Sequence, residues 1–277
     1  MTATISRQRL ADIRERLAME GQVSATRLAA EFSVSEDTIR RDLRLLAAEG
    51  YCERVYGGAI RPKTLPSSFT HRRDEQTAVK RILGRLAAEL VQPGETIFID
   101  AGSTNLEIAR HLPRLKPLTL VTNAPAIAEA AASPDGPDIV LIGGRFDANL
   151  GSCLGGKALR DIEEINPSRA YIGTCALSSE GGLSAFSAEE AELKAAIARR
   201  SARVVIAVTR DKFGYTAPFS FAGLDALDQL VTDECEHDLL RDLKGRGVNI
   251  ITAGRQPDDV NRTVRPGDTF EDQDQAS

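Results

Sequence analysis

The stretch Ser35–Leu46, SEDTIRRDLRLL, constrains the fold of this chain more than any other. Wound as an α-helix at about 100° per residue, it sorts onto two faces. Ile39, Leu43 and Leu46 fall at i, i+4 and i+7 and make one apolar stripe. Arg40, Arg41 and Arg44 fall on the opposite side. Ser35 is a good N-cap, and Glu36 and Asp37 occupy the first turn, where the helix dipole favours anions. A solvated surface helix would show the same two faces, so the flanking sequence decides what the stretch is.

Upstream, Ser24–Phe32 is a second short amphipathic segment, and Ser33-Val34 joins the two tightly. Two short helices with a basic second member form the helix-turn-helix pattern. An earlier helix over Ser6–Met19 carries Leu10, Ile13 and Leu17 at helical spacing and ends at Gly21, a C-terminal cap. Downstream, Gly50 closes the third helix, Tyr51–Tyr56 alternates like a strand, and Gly57-Gly58 supplies a turn. Residues 1–60 are therefore expected to form a winged helix-turn-helix domain. Its DNA-facing set would be Ser35, Asp37, Thr38, Arg40, Arg41, Arg44 and Arg54. Arg41 is placed to meet a guanine edge with Thr38 and Arg40 beside it, and Arg44 and Arg54 to meet phosphate.

Residues 61–73 contain prolines, serines, threonines and cations and read as an extended linker. An amphipathic helix follows over Asp74–Val91. From there strands alternate with helices: Thr96–Asp100, Leu118–Thr122, Asp138–Ile142, Ala170–Gly173, Val204–Val208, Gln229–Thr232 and Val248–Ile251 are the strands. The helices between them are Leu106–Leu112, Ala124–Ala132, Ala188–Ser201 and Glu236–Lys244. Strands apolar throughout, alternating with helices, imply a Rossmann-like α/β domain over 74–255 with a parallel sheet covered on both faces. The polar, aperiodic stretch 256–277 is expected to be disordered.

Ligands of an open parallel sheet bind beyond the carboxyl ends of its strands. Three such ends here are small and polar. The first is Asp100-Ala-Gly-Ser-Thr-Asn105, running into a helix, whose glycine, hydroxyls and free N–H groups suit a phosphate cradle. The others are Thr122-Asn123 and Gly143-Gly144-Arg145. Each is also ordinary turn and capping chemistry. Glu190 and Lys194, at i and i+4, read as an ion pair on a helix surface.

The net charge of −5 argues against a generally basic nucleic-acid binder. Residues 1–61 carry ten Lys and Arg against nine Asp and Glu, so any DNA affinity must come from local placement. Cys52, Cys153, Cys175 and Cys235 are far apart, and His71, His111 and His237 show no ligand spacing. Idle thiols in a reducing compartment are expected, with no metal and no cofactor. The N-terminus lacks signal-peptide character, and no apolar run approaches the ~18 residues of a membrane span, so a cytoplasmic protein with no membrane contact is expected.

The run Gly21–Ala59, with VSEDTIRRDL, Glu49-Gly50, Arg54 and Gly57-Gly58-Ala59, resembles the DNA-binding domain of the DeoR family of bacterial transcriptional regulators. Tyr56 stands where that family usually has His. The resemblance extends over roughly residues 5–255 through Asp100–Asn105, Val121–Asn123, Leu141–Gly144, Glu190–Lys194 and Lys212-Phe-Gly214. It implies a sensor domain similar to ribose-5-phosphate isomerase, responding to a phosphorylated sugar or related catabolic intermediate. By that likeness Asp100 would meet sugar hydroxyls, and Gly102, Ser103, Thr104 and Asn105 would hold phosphate or hydroxyls. Thr122, Asn123, Gly143 and Gly144 would line the pocket, and Lys212 would pair with the anion. Thr209 replaces a common Asp, and Gly173–Ser178 lacks a usual Gly and Asp, which bears on ligand choice. The function implied is a repressor of a carbohydrate or related catabolic operon, not an enzyme, acting on double-stranded operator DNA as a homo-oligomer. The alternative is an isomerase-like enzyme with an accessory N-terminal domain, for which Asp100 offers one base and the matched loops no second acid or base.

Overall fold

The computed structural model of the chain describes residues 9–14, 16–17, 22–48, 51–60, 68–233 and 236–254. The expected caps at Gly21 and Gly50, residues 61–67 of the linker, Cys235 and the stretch 256–277 lie outside them.

In the N-terminal unit, residues 9–14 and 16–17 are helical. Strand β1 (Gln22–Ser24), helix α1 (Ala25–Glu31) and helix α2 (Glu36–Ala48) follow, then strands β2 (Glu53–Val55) and β3 (Gly58–Ile60). Ile39, Leu43 and Leu46 of α2 are buried with Ile13, Leu17, Leu28 and Cys52 in one core. Fully burying such side chains contributes about 1.5–3 kcal/mol each. Asp42 also faces inward. It survives there because Arg9 meets it at 2.6 Å, tying the first helix to α2. The wing is an antiparallel sheet in the order β1-β3-β2. A strand as short as β1 shows no readable alternation, so the sequence pattern gives only the β2–β3 ribbon.

The second unit opens with α3 (Phe69–Asp74) and α4 (Thr77–Ala88). Two expectations change here. The linker is helical from Phe69, and the helix expected over Asp74–Val91 is interrupted. The interruption has a local cause. Gln76 adopts φ +50°, and Lys80 turns back to donate to the carbonyls of Arg72 and Glu75 at 2.6 and 2.7 Å. These are α3's last carbonyls, which have no partner within the helix.

The sheet strands are β4 (Thr96–Ile99), β5 (Thr119–Thr122), β6 (Asp138–Leu141), β9 (Arg169–Tyr171), β12 (Val204–Val208), β14 (Gln229–Asp233) and β15 (Asn249–Ala253). Their order is β15-β14-β12-β9-β4-β5-β6, and every pairing is parallel. Successive residues enter different cores: Phe98, Val121, Ala170, Ile206 and Leu230 one, Ile97, Leu120, Tyr171, Val205 and Val231 the other. Two-sided burial is why these strands read as unbroken apolar runs. On the second face lie α4, α5 (Ser103–Arg110) and α6 (Pro125–Ala131); on the first lie α7 (Gly156–Glu163), α8 (Ala188–Arg200) and α9 (Asp238–Gly245). A hairpin, β7 (Arg145–Asp147) with β8 (Ser152–Leu154), follows β6. Strands β10 (Ala176–Ser178), β11 (Gly182–Ala185) and β13 (Phe219–Ala222) make a small antiparallel sheet. The sequence pattern missed α7, the hairpin and this small sheet, whose three- and four-residue strands are too short to show a period. From β4 the chain builds outward through β5 and β6, then returns to β9 on β4's other side. The switch point therefore lies between β4 and β9.

His237 caps α9: its Nδ1 accepts from the Leu239 N–H at 3.1 Å, and its ring meets Phe213 edge-on at 5.5 Å. Partial burial pushes its pKa below the ordinary value, with Asp238 opposing. A folded-state pKa below the unfolded one gives stability that is full above the unfolded value, ~6.5, and is lost as pH falls through the folded value. His237→Asn, a cap that does not titrate, should therefore flatten the fall in urea midpoint between pH 7.5 and 5.5. An unchanged slope would assign that fall to other groups.

Candidate functional site

Two places gather the residues expected to carry chemistry. The first is the outer face of α2. Ser35 Oγ accepts from the Thr38 N–H at 3.2 Å and lies 2.9 Å from the Thr38 hydroxyl, so the N-cap forms as expected. Arg40 pairs with Glu36 at 3.0 Å, and Arg44 reaches Asp37 at 3.8 Å and the Arg40 carbonyl at 3.2 Å. These exposed pairs contribute little to stability and are readily exchanged for phosphate. Arg41 is exposed and makes no hydrogen bond or ion pair among the described residues. Arg54 lies exposed on β2, and Tyr56 stands fully exposed at the wing tip.

The second place is the switch point, and its centre is Lys194. The Nζ lies 2.9 Å from Asp100 Oδ2 and 3.0 Å from Glu190 Oε1, and it donates to the Gly173 carbonyl. All three side chains are buried. This corrects the surface ion pair expected of Glu190 and Lys194. A signal was available: Glu190, Leu193, Lys194 and Ile197 fall at i, i+3, i+4 and i+7, which puts both charges on α8's buried stripe. Burial alone would drive the Lys194 ammonium towards neutrality, but Asp100 and Glu190 outweigh it and hold the lysine charged, above its usual range. Two carboxylates around one ammonium leave the cluster short of positive charge. Burial, with Glu190 adding, raises Asp100 as well, against the pull of Lys194. Gly173 donates its N–H to Asp100 Oδ2 at 3.1 Å, and a Cβ there would stand 2.7 Å from the Ala101 carbonyl. The close contact between the ends of β4 and β9 thus needs glycine.

Several expected ligand contacts are spent inside the protein. Asn105 donates to the carbonyls of Asp100 and Tyr171 at 2.8 and 3.1 Å, satisfying groups that leave the ladder at the ends of β4 and β9. Thr122 donates to the Ile99 carbonyl at 2.6 Å, accepts from the Ala124 N–H, and is fully buried. Both side chains therefore tie the strand ends together. Asp100 is engaged with Lys194, and Gly144 is where a Cβ would stand 2.5 Å from the Leu154 carbonyl, a packing role against β8. Lys212 pairs with Asp211 at 3.1 Å, and Thr209, buried before it, donates to the same aspartate. Accessible among the expected residues are the half-buried run Gly102-Ser103-Thr104 at the start of α5, which has no side-chain cap, half-buried Gly143 and exposed Gly144 beyond β6, and half-buried Lys212. Asn123 donates to the Cys153 carbonyl at 3.4 Å, while its Oδ1 and Glu190 Oε2 are buried without a partner among the described residues. Cys52 and Cys153 are buried free thiols and Cys175 a half-buried one. Among the described residues no cluster suits a metal, and no helix is long and apolar enough to cross a membrane.

A helix-turn-helix with an outward arginine face, joined to a parallel-sheet domain with a polar switch point, is the build of a DNA-binding transcriptional regulator. Residues 9–64 match the DeoR-like helix-turn-helix domain and residues 75–234 the DeoR C terminal sensor domain, and the chain belongs to the DeoR family. It is 33% identical to the Glycerol-3-phosphate regulon repressor of Escherichia coli (strain K12), over 82% of this chain and 90% of that protein. It is 28% identical to the HTH-type transcriptional repressor GlcR of Bacillus subtilis (strain 168), over 88% of this chain and 95% of that one. Ribose 5 phosphate isomerase A from Neisseria gonorrhoeae overlaps 50% of this chain and 54% of its own, at 19% identity and a TM-score of 0.37, too slight to bear on function. The isomerase alternative gives way to the regulator.

Lys194→Met should leave two buried carboxylates unpaired and cost about 3–5 kcal/mol in urea unfolding at pH 7. The deficit should shrink at lower pH as Asp100, which burial already pushes up, takes up a proton. A loss below 1 kcal/mol at pH 7 would mean that the cluster is not the keystone its burial implies.

Proposed function

We propose that this chain represses a carbohydrate or related catabolic operon and is released by a phosphorylated sugar-type effector. Residues 1–60 read the operator. Residues 74–255 sense the effector and hold a homo-oligomer together in the cytoplasm. The observation that carries this reading is the geometry of α2: a buried Ile39-Leu43-Leu46 stripe fixes the helix while Arg41 projects without an internal partner. That is what a helix in a major groove requires.

The effector reading is supported by the divided character of the switch point. The uncapped start of α5 at Gly102, Ser103 and Thr104 offers N–H and hydroxyl donors for a phosphate, and Lys212 lies in the turn after β12. The negative cluster at Asp100 and the unpartnered Asn123 Oδ1 and Glu190 Oε2 suit the hydroxyl donors of a sugar body. One relative at 33% identity is named for a glycerol-3-phosphate regulon. Oligomerisation follows from economy: one short recognition helix per chain gives limited affinity, and paired half-sites supply the rest.

On an operator obtained by in vitro selection, Arg41→Ala should weaken binding by about 1–3 kcal/mol and relax preference at one base pair. Arg44→Ala should weaken all sequences alike and lower the salt slope. Wild-type affinity and selectivity for Arg41→Ala would remove Arg41 from the reading face. In a thermal-shift screen of sugar phosphates, an effector at ~100 times its Kd should add about 2.7 kcal/mol. Sedimentation should show a dimer or larger; a concentration-independent monomer, with and without DNA, would sink the oligomeric reading.

A further inference from the structure

The seven-stranded sheet ends in two edges of unlike character. At one, β15 shows solvent the polar Asn249 and Thr252, with Ile250 and Ile251 half-buried. At the other, β6 pairs with β5 alone among the described residues, and Val140 and Leu141 are 47% and 48% exposed. An apolar edge is a template for another strand, and proteins guard such edges with lysine, proline or a bulge. Strand β6 reads Asp-Ile-Val-Leu, holds neither lysine nor proline, and keeps an unbroken register with β5.

The hydrogen bonds fix which residues of β6 face outward. Asp138 and Ile142 donate their N–H groups to the carbonyls of Leu118 and Thr122 at 2.9 and 2.8 Å. Backbone direction alternates along a strand, so Val140 also faces β5, and the N–H and C=O groups of Ile139 and Leu141 point away from the sheet. Side chains alternate as well. Val140 stands on the face of Val121, its register partner, and Ile139 and Leu141 stand on the face of Leu120. Turned about a two-fold axis through Val140 and perpendicular to the sheet, this edge matches itself. Ile139 comes opposite Leu141 of a second copy on one face, and each such pair exchanges both of its N–H···O bonds. Val140 meets its own counterpart on the other face, with Cα atoms about 4.5 Å apart. The two Asp138 carboxylates fall at opposite ends of the ladder.

We propose that β6 is the interface for a second copy of this chain, paired antiparallel about Val140 so that two sheets join into one. The proposal rests on the reading of the chain as a homo-oligomer and adds where the copies meet. The remainder of the chain is a poor occupant. The described chain leaves the sheet at β15, six strand spacings or about 29 Å from β6. Residues 255–277 carry six Asp and Glu, and only Val260, Val264 and Phe270 among them are large and apolar. Pairing β6 with β15 of the next copy would set Val140 and Leu141 against a partly polar edge, in a head-to-tail contact that does not close on itself. Pairing β6 with β6 sets apolar against apolar and closes at two copies.

The test is sedimentation of the full-length protein with charges exchanged at the axis. Val140→Lys sets like charges directly opposite each other, as does Val140→Glu, and each should raise the dissociation constant of the assembly ~10-fold or more. An equimolar mixture of the two sets Lys against Glu and should recover most of the lost association. Phe219→Lys, at an exposed apolar position on the small antiparallel sheet, should leave association unchanged. Val140→Cys should cross-link between copies on mild oxidation, since a pair of residues at the axis lies within disulfide reach, and wild type should not. Unchanged melting temperatures would show the charge variants folded; if either is not, the Val140→Cys cross-link decides. Wild-type association of both charge variants, a mixture no stronger than its parts, an equal loss in Phe219→Lys, or no cross-link would each overturn the proposal and leave oligomerisation to another surface. A wild-type monomer at every concentration, with and without DNA, would instead remove the homo-oligomeric reading, and the proposal with it.

Discussion

One buried ammonium organises the sheet domain. Lys194 has three protons to donate, and Asp100, Glu190 and the Gly173 carbonyl take them. Those partners lie at the end of β4, on α8 and after β9, so one side chain closes the gap at which the strand order reverses. A charge this deep is tolerated only when fully paired. The cluster is overpaired, with two carboxylates to one lysine. In the proposed effector reading, that excess of carboxylate disfavours an anion at the centre and leaves the start of α5 and Lys212 as the places for one. On that reading, a phosphorylated polyol would place its hydroxyls at the centre and its anion at the edge.

The same counting shows what the sequence could and could not disclose. The winged helix was legible because α2 is long enough to repeat its stripe and its polar face is nearly all charge. The sheet was legible because two-sided burial leaves no polar alternation to misread. The site was only half legible. Asn, Thr and Asp after a strand satisfy stray carbonyls and N–H groups by the same chemistry with which they would hold a ligand. Nothing in the residue type tells Asn105 bonding two backbone carbonyls from Asn105 bonding a phosphate. Glu190 and Lys194 were misplaced for a different reason: i, i+4 spacing is met equally on a wet or a dry face, and only Leu193 and Ile197 on the same stripe reveal which. Helix α3 escaped notice because proline- and serine-rich composition describes the approach to it, whereas Phe69 and Lys80 fasten the helix itself.

That fastening changes the mechanics of the molecule. A flexible span from Ile60 to Arg73 would let either domain move with little effect on the other. With α3 docked at Phe69, the chain from Ile60 to Phe69 can reach at most about 30 Å at ~3.3–3.6 Å per residue. The wing's last strand is thus tethered within that distance of a helix packed on α5. The span between neighbouring half-sites on DNA, about 34–36 Å, is of the same order. In the proposed homo-oligomeric repressor, a change at the strand ends would reach the recognition helices through α3, without any rearrangement of the sheet that Lys194 holds closed.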